Sequence, residues 1–140
     1  VCCAVGTGGT ISGLINNSLP NQKILGFPAL KGDFLTDEIR IFAKKDNWNL
    51  ISDYHFGGYG KVSEELINFL NQFYQETKIP LDPVYSGKLL YALNELIKSD
   101  YFEPGTTLIA IHTGGLQGIE AFNKRYQTAL PLPINLSSPL

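Results

Sequence analysis

Val1-Cys2-Cys3-Ala4-Val5-Gly6-Thr7-Gly8-Gly9-Thr10-Ile11-Ser12-Gly13 opens the chain, and its reading decides the fold. Val1 to Val5 is an apolar run of strand-forming residues. Gly6 to Thr10 is a glycine- and threonine-rich turn, and Ile11, Leu14 and Ile15 recur beyond it at helical spacing. A glycine-rich turn from a strand into a helix gathers backbone N–H groups and the positive end of a helix dipole around one point, which suits an anion, most often a phosphate. Thr10 can cap the helix or donate its hydroxyl to a phosphate oxygen. The turn is not a P-loop, because no Gly-Lys-Ser/Thr follows it. It is not a dinucleotide fingerprint either, because Ile11 stands where the third glycine belongs. A tight strand-to-helix turn without any ligand is the alternative.

Alternating strands and helices continue downstream. Lys23 to Phe27 reads as a second buried strand ended by Pro28, and Trp48 to Ile51 as a third. Glu38 to Lys45 is predicted to be a short helix with Ile39, Ile41 and Phe42 on its apolar side. Residues 53–62 read as an irregular, aromatic, glycine-rich loop. Ser63 is a candidate N-cap, with Glu64 and Glu65 in the first turn of an amphipathic helix carrying Leu66, Ile67, Leu70, Phe73 and Tyr74. After the Pro80-Leu81-Asp82-Pro83 break, Gly87 to Lys98 is predicted to be helical, with Leu89, Leu90, Leu93, Leu96 and Ile97 inward. Thr107 to Ile111 reads as a strand, and Leu116 to Lys124 as a closing helix. The expected fold class is α/β, a mostly parallel sheet with flanking helices. In such sheets ligands sit at the carboxyl ends of strands, where the turns 6–10 and 112–115 both fall. We expect residues 1–126 to form this α/β region and residues 127–140, rich in proline, to be an extended or disordered tail.

Composition narrows the function classes. The chain has 140 residues, 44% hydrophobic and 17% charged, enough for one core. A formal net charge of −2 gives no electrostatic reason to expect nucleic acid. No apolar run approaches a membrane span of roughly 18 residues, and no signal peptide is visible. With no methionine at any position, the sequence reads as a piece of a longer chain. Cys2 and Cys3, neighbours on a strand, point to opposite faces and cannot easily bridge each other. They read as buried small hydrophobes in a reducing, cytoplasmic setting.

Four groups of residues could carry chemistry. Besides the first turn, Asp82-Pro83-Val84-Tyr85-Ser86-Gly87-Lys88 is either a functional segment or a turn with Ser86 as helix cap. Tyr59, between glycines, is either a functional or a packed aromatic. His112, before Thr113-Gly114-Gly115, is either an acid–base group or a structural histidine. His55, His112 and the two adjacent cysteines do not make a metal set.

Taken in order, Val-Gly-Thr-Gly-Gly-Thr-Ile-Ser-Gly at 5–13, Phe-Pro-Ala-Leu-Lys-Gly at 27–32, Gly-Tyr-Gly at 58–60, Asp-Pro-Val-Tyr-Ser-Gly-Lys at 82–88 and His-Thr-Gly-Gly at 112–115 carry a resemblance. Over residues 1–126 the chain resembles the C-terminal part of the 1-aminocyclopropane-1-carboxylate deaminase and D-cysteine desulfhydrase family. That family depends on pyridoxal 5′-phosphate and has the tryptophan-synthase β-like fold (fold type II). The resemblance implies that Gly6, Thr7, Gly8, Gly9 and Thr10 cradle the cofactor phosphate, that Ser86 lies beside the pyridine nitrogen, and that Thr113 and Gly114 lie along the ring. Tyr85 and Tyr59 match two catalytic tyrosines that approach the substrate. Deaminases of the family carry a glutamate where this chain has Ser86, and desulfhydrase-like members a hydroxyl. A neutral hydroxyl leaves the pyridine a weaker electron sink, which suits β-elimination of sulfide better than cyclopropane opening. The implied activity is therefore a D-cysteine desulfhydrase-like lyase, with 1-aminocyclopropane-1-carboxylate deamination as the alternative. The implied partners are a small amino-acid substrate and, for the whole enzyme, a second copy in a homodimer. The lysine that carries the cofactor belongs to the family's N-terminal half, and Lys88 does not match its context. A non-catalytic anion-binding module is the rival reading of these residues alone.

Overall fold

The structure, a computed structural model, describes residues 1–132. Three strands form a parallel sheet in the order β1 (Cys2–Val5), β2 (Ile24–Pro28), β3 (Trp48–Leu50). Cys2 pairs with Leu25 and Val5 with Pro28, while Ile24 pairs with Trp48 and Gly26 with Leu50. Helices α1 (Gly9–Asn17) and α2 (Phe34–Phe42) make the crossovers. They are followed by α3 (Glu64–Thr77), α4 (Ser86–Lys98) and, after a 3₁₀ turn at Leu116–Gly118, α5 (Ile119–Tyr126).

Strand alternation sorts the core into layers. Cys3, Val5 and Ile24 face α1 and α2 through Ile11, Ile15, Leu35 and Ile39. Cys2 and Phe27 face the other way onto α4, against Leu89, Ala92, Leu93 and Leu96. A further layer of Leu66, Leu70, Tyr91, Ile119 and Phe122 joins α3, α4 and α5. Both cysteines are buried and unpaired. Gly26 leaves no room for a side chain between α1 and the sheet: a Cβ there would lie 2.5 Å from Ile11 Cδ1, 2.6 Å from Leu50 Cδ2 and 2.8 Å from Val5 Cγ2. Among the described residues no helix is long and apolar enough to cross a membrane.

The parallel sheet with flanking helices is as expected, with local corrections. Helix α2 starts at Phe34, not Glu38, and buries Leu35 and Ile39 while Ile41 and Phe42 stay exposed. Ile97 is 55% exposed, and the buried side of α4 includes Lys88, Tyr91 and Ala92 instead. Residues 107–111 do not form a strand of the sheet. They touch β1 through a single parallel bridge, Cys2 to Ala110, with Cys2 N–H donating to Ile109 O (2.8 Å) and Ile111 N–H to Cys2 O (2.9 Å). Most of the run is exposed, Ile109 at 51%, so little apolar burial supports a longer ladder. The expected closing helix is split into the 3₁₀ turn and α5.

Beyond α5 the chain returns to the core. Asn123 Oδ1 accepts the Leu130 N–H at 2.9 Å, Asn123 Nδ2 donates to Leu130 O at 2.9 Å, and Leu130 is buried. The remainder of the expected tail, residues 133–140, lies outside the described residues.

Candidate active site

Two helix N-termini converge at the carboxyl end of β1, and they end differently. The α4 terminus is closed by its own chain. Asp82, 3% exposed, accepts the Val84 and Tyr85 N–H groups on Oδ1 (2.9 and 2.7 Å) and the Ser86 N–H on Oδ2 (2.8 Å). Ser86 Oγ–H also donates to Asp82 Oδ2 at 2.5 Å, and Ser86 Oγ accepts the Asp82 N–H at 3.1 Å. Tyr85, not Ser86, therefore stands at the N-cap, Asp82 closes the terminus from three residues before it, and Ser86 is the first helical residue. The α1 terminus is open. Gly8, at φ 94°, turns the chain into the helix, no side chain caps it, and no acidic residue sits in its first turn. Unsatisfied N–H groups and the helix dipole there remain available to an anion.

A cavity of about 320 Å³ opens on this terminus, lined by residues 4–11, Tyr85 and Thr113. Tyr85 closes one side so tightly that a Cβ on Gly6 would lie 3.3 Å from its ring and hydroxyl. The structure thus gathers Gly6, Thr7, Gly8, Gly9, Thr10, Tyr85 and Thr113. Tyr59, 61% exposed, stands beside them, its ring edge-on to Tyr85 at a centroid distance of 6.0 Å. Burial first, and then the neighbouring Tyr59 and Asp82, raise the Tyr85 phenol above its ordinary range. Ser86 and Gly114 do not line the cavity: Ser86 is 1% exposed behind Tyr85, and Gly114 N–H bonds to His112 Nδ1 (3.0 Å). His112 Nε2 bonds to Pro80 O at 2.9 Å, so both ring nitrogens are spent on holding turn 112–115 beside segment 80–87.

Sequence reasoning missed two residues here. Asp82 is one; an aspartate with proline next and a helix starting four residues on is a readable capping signal. The other is Lys88, 2% exposed, whose Nζ donates to His55 O and Gly58 O at 2.8 Å each and reaches Ala29 O at 3.5 Å. Burial pushes its ammonium down to about 8, with the Asp82 carboxylate pulling the other way. No lysine lines the cavity.

No family model matches the chain. It is 32% identical over 132 residues to the bifunctional D-cysteine desulfhydrase/1-aminocyclopropane-1-carboxylate deaminase of Arabidopsis thaliana, a match covering 85% of this chain and 33% of that one. It is 25% identical over 145 residues to the 1-aminocyclopropane-1-carboxylate deaminase of Cyberlindnera saturnus, covering 91% of this chain and 41% of that one. A crystal structure described as an ACC deaminase homologue superposes with a TM-score of 0.73 at 29% identity, over 87% of this chain and 42% of that one. The chain therefore spans well under half the length of the relatives it matches. Sequence and fold agree: the chain belongs to the family of 1-aminocyclopropane-1-carboxylate deaminases and D-cysteine desulfhydrases.

Proposed function

We propose that the protein carrying this chain is a pyridoxal-phosphate-dependent enzyme of small amino acids, with D-cysteine as its preferred substrate. The observation that carries the cofactor reading is the uncapped α1 terminus facing Tyr85 and Thr113 across the cavity. The residues present fit the phosphate. The backbone N–H groups of the 6–10 turn would hold it, and the exposed Thr7 and Thr10 add hydroxyls. Thr113, which lines the cavity, would flank the ring. When bound, the cofactor withdraws electrons from the substrate Cα. Tyr85 lines the cavity and carries its phenol proton at neutral pH, so its oxygen can donate a proton there. The covalent anchor would come from outside the cavity described here, since no lysine lines it.

Ser86 supports D-cysteine. By the resemblance, position 86 stands beside the pyridine nitrogen, where a hydroxyl in place of a carboxylate suits elimination of a good leaving group; Ser86 itself is 1% exposed and bonded to Asp82. The same residue gives the deaminase reading an observation of its own. Ser86 Oγ–H is committed to Asp82 and its oxygen accepts the Asp82 N–H, which leaves one lone pair backed by the Asp82 carboxylate. A glutamate at 86 would also stand against Asp82, so Ser86→Glu is not a clean test. The wild-type comparison is. The full-length protein is expected to release sulfide from D-cysteine with a higher kcat/KM than it opens 1-aminocyclopropane-1-carboxylate; the reverse order would establish the deaminase instead.

Tyr85→Phe is expected to lower kcat on the order of a hundredfold as loss of a proton donor. A loss of only about twofold would reduce Tyr85 to a packing role. The isolated 140-residue chain is expected to turn over neither substrate, measured as pyruvate or α-ketobutyrate formed. Turnover by it would place the whole machinery within these residues.

A further inference from the structure

Lys88 is a buried cation that the proposed chemistry does not use. It lies three residues after Tyr85, the residue that leads into α4. Among the described residues it forms no ion pair. Burying an ammonium without a carboxylate partner is costly, and carbonyl oxygens must stand in for its water. Those oxygens come from two segments, His55 and Gly58 in the aromatic loop and Ala29 just after β2. Besides Lys88, one long-range bond reaches the glycines of the loop, Tyr126 Oη–H to Gly60 O at 3.3 Å. The loop's other bonds are short-range, Gly58 N–H to His55 O (3.0 Å), Lys61 N–H to Gly58 O (3.1 Å) and Gly57 N–H to His55 Nδ1 (2.9 Å). Phe56 anchors it at one end, edge-on to Tyr91 at 5.0 Å. Tyr59 itself is mostly exposed and touches Tyr85 from the side.

We propose that Lys88 is the positioning residue of this site, its caged ammonium fixing the Gly58-Tyr59-Gly60 loop so that Tyr59 stands against Tyr85. One helix turn thereby sets both members of the tyrosine pair, one by its backbone and the other through the lysine. The inference rests on geometry alone and holds whichever substrate the protein takes.

The test uses the full-length protein and hydrogen exchange of the backbone amides at 55–61, with α3 as internal reference. Lys88→Met keeps the apolar stem and removes the charge. A hydrogen bond to a charged group contributes about 1.5–3 kcal/mol, so this loop should exchange on the order of tenfold faster or more, with α3 unchanged. Lys88→Ala leaves room in the cage for a free cation. Ammonium chloride should restore the loop's protection, whereas tetramethylammonium chloride at equal concentration, too large and without N–H donors, should not. Wild-type exchange in Lys88→Met, or equal effects of the two salts on Lys88→Ala, would overturn the proposal. If neither variant folds, the wild type decides. A slowly exchanging ¹⁵Nζ–H signal of Lys88 with nuclear Overhauser contacts to the loop supports the cage, and a freely exchanging ammonium refutes it.

Discussion

Gly9→Asp is expected to release the cofactor from the full-length protein while making helix α1 more stable. Gly9 is the first residue of α1, and a side chain there meets nothing within 4 Å. An aspartate would set its carboxylate at the open helix terminus, where a negative charge gains about 0.3–1 kcal/mol. It would also occupy the place a phosphate needs. Two like charges about 4 Å apart near a protein surface repel by several kcal/mol, so cofactor binding should weaken on the order of a hundredfold or more. Absorbance of the retained cofactor measures the loss, and the thermal midpoint measures the gain. Wild-type retention would remove the cradle from the 6–10 turn. Gly8 is the poorer site for this experiment. Its φ of 94° and the 3.0 Å approach of a Cβ to Ile39 Cγ1 would confound lost binding with strain.

Gly87→Ala should destabilise the fold by about 1–3 kcal/mol, against the direction of helix propensity. Propensity alone favours alanine inside a helix by about 1 kcal/mol. Here the added Cβ would lie 2.6 Å from Asp82 O and 2.6 Å from Leu70 Cδ2. Leu70 can turn aside. Asp82 O cannot, because it already accepts the Gly87 N–H at 2.8 Å, and its residue closes the helix terminus. Overpacking of about 1–3 kcal/mol and a broken bond of about 1 kcal/mol outweigh the propensity gain. Chemical denaturation gives the sign directly: a stabilised Gly87→Ala would mean that segment 80–87 yields.

Much of this was legible beforehand because local signals and burial agree. The β1 turn, the Ser63 cap, whose Oγ accepts the Leu66 N–H at 3.2 Å, and the stripe of α3 each follow from a short pattern. What was not legible depends on partners distant in sequence. Thr107 to Ile111 has a strand's composition, yet only Cys2 pairs with it, so the strand reading failed. The start of α2 was missed because Leu35 and Ile39 pack on α1 and the sheet while the equally apolar Phe34 and Phe42 do not. In the site, the glycine turn and Tyr85 were visible as motifs. Lys88 was not, because a lysine on an amphipathic helix normally reads as solvated. Its cage is built from carbonyls 30 and 33 residues away, which any sequence can supply.

The two adjacent thiols report on different parts of the molecule. Cys2 is packed under α4 and Cys3 under α1 and α2, and burial raises both thiols, Cys3 to about 11. Neither reacts readily until its own side of the sheet opens. Their order of alkylation under mildly destabilising conditions is thus a clock for the two layers. If Cys3 is labelled first, the anion-binding helix leaves the sheet before the tyrosine-bearing one; if Cys2 is first, α4 leaves with Tyr85 and Lys88 while the phosphate cradle is still folded.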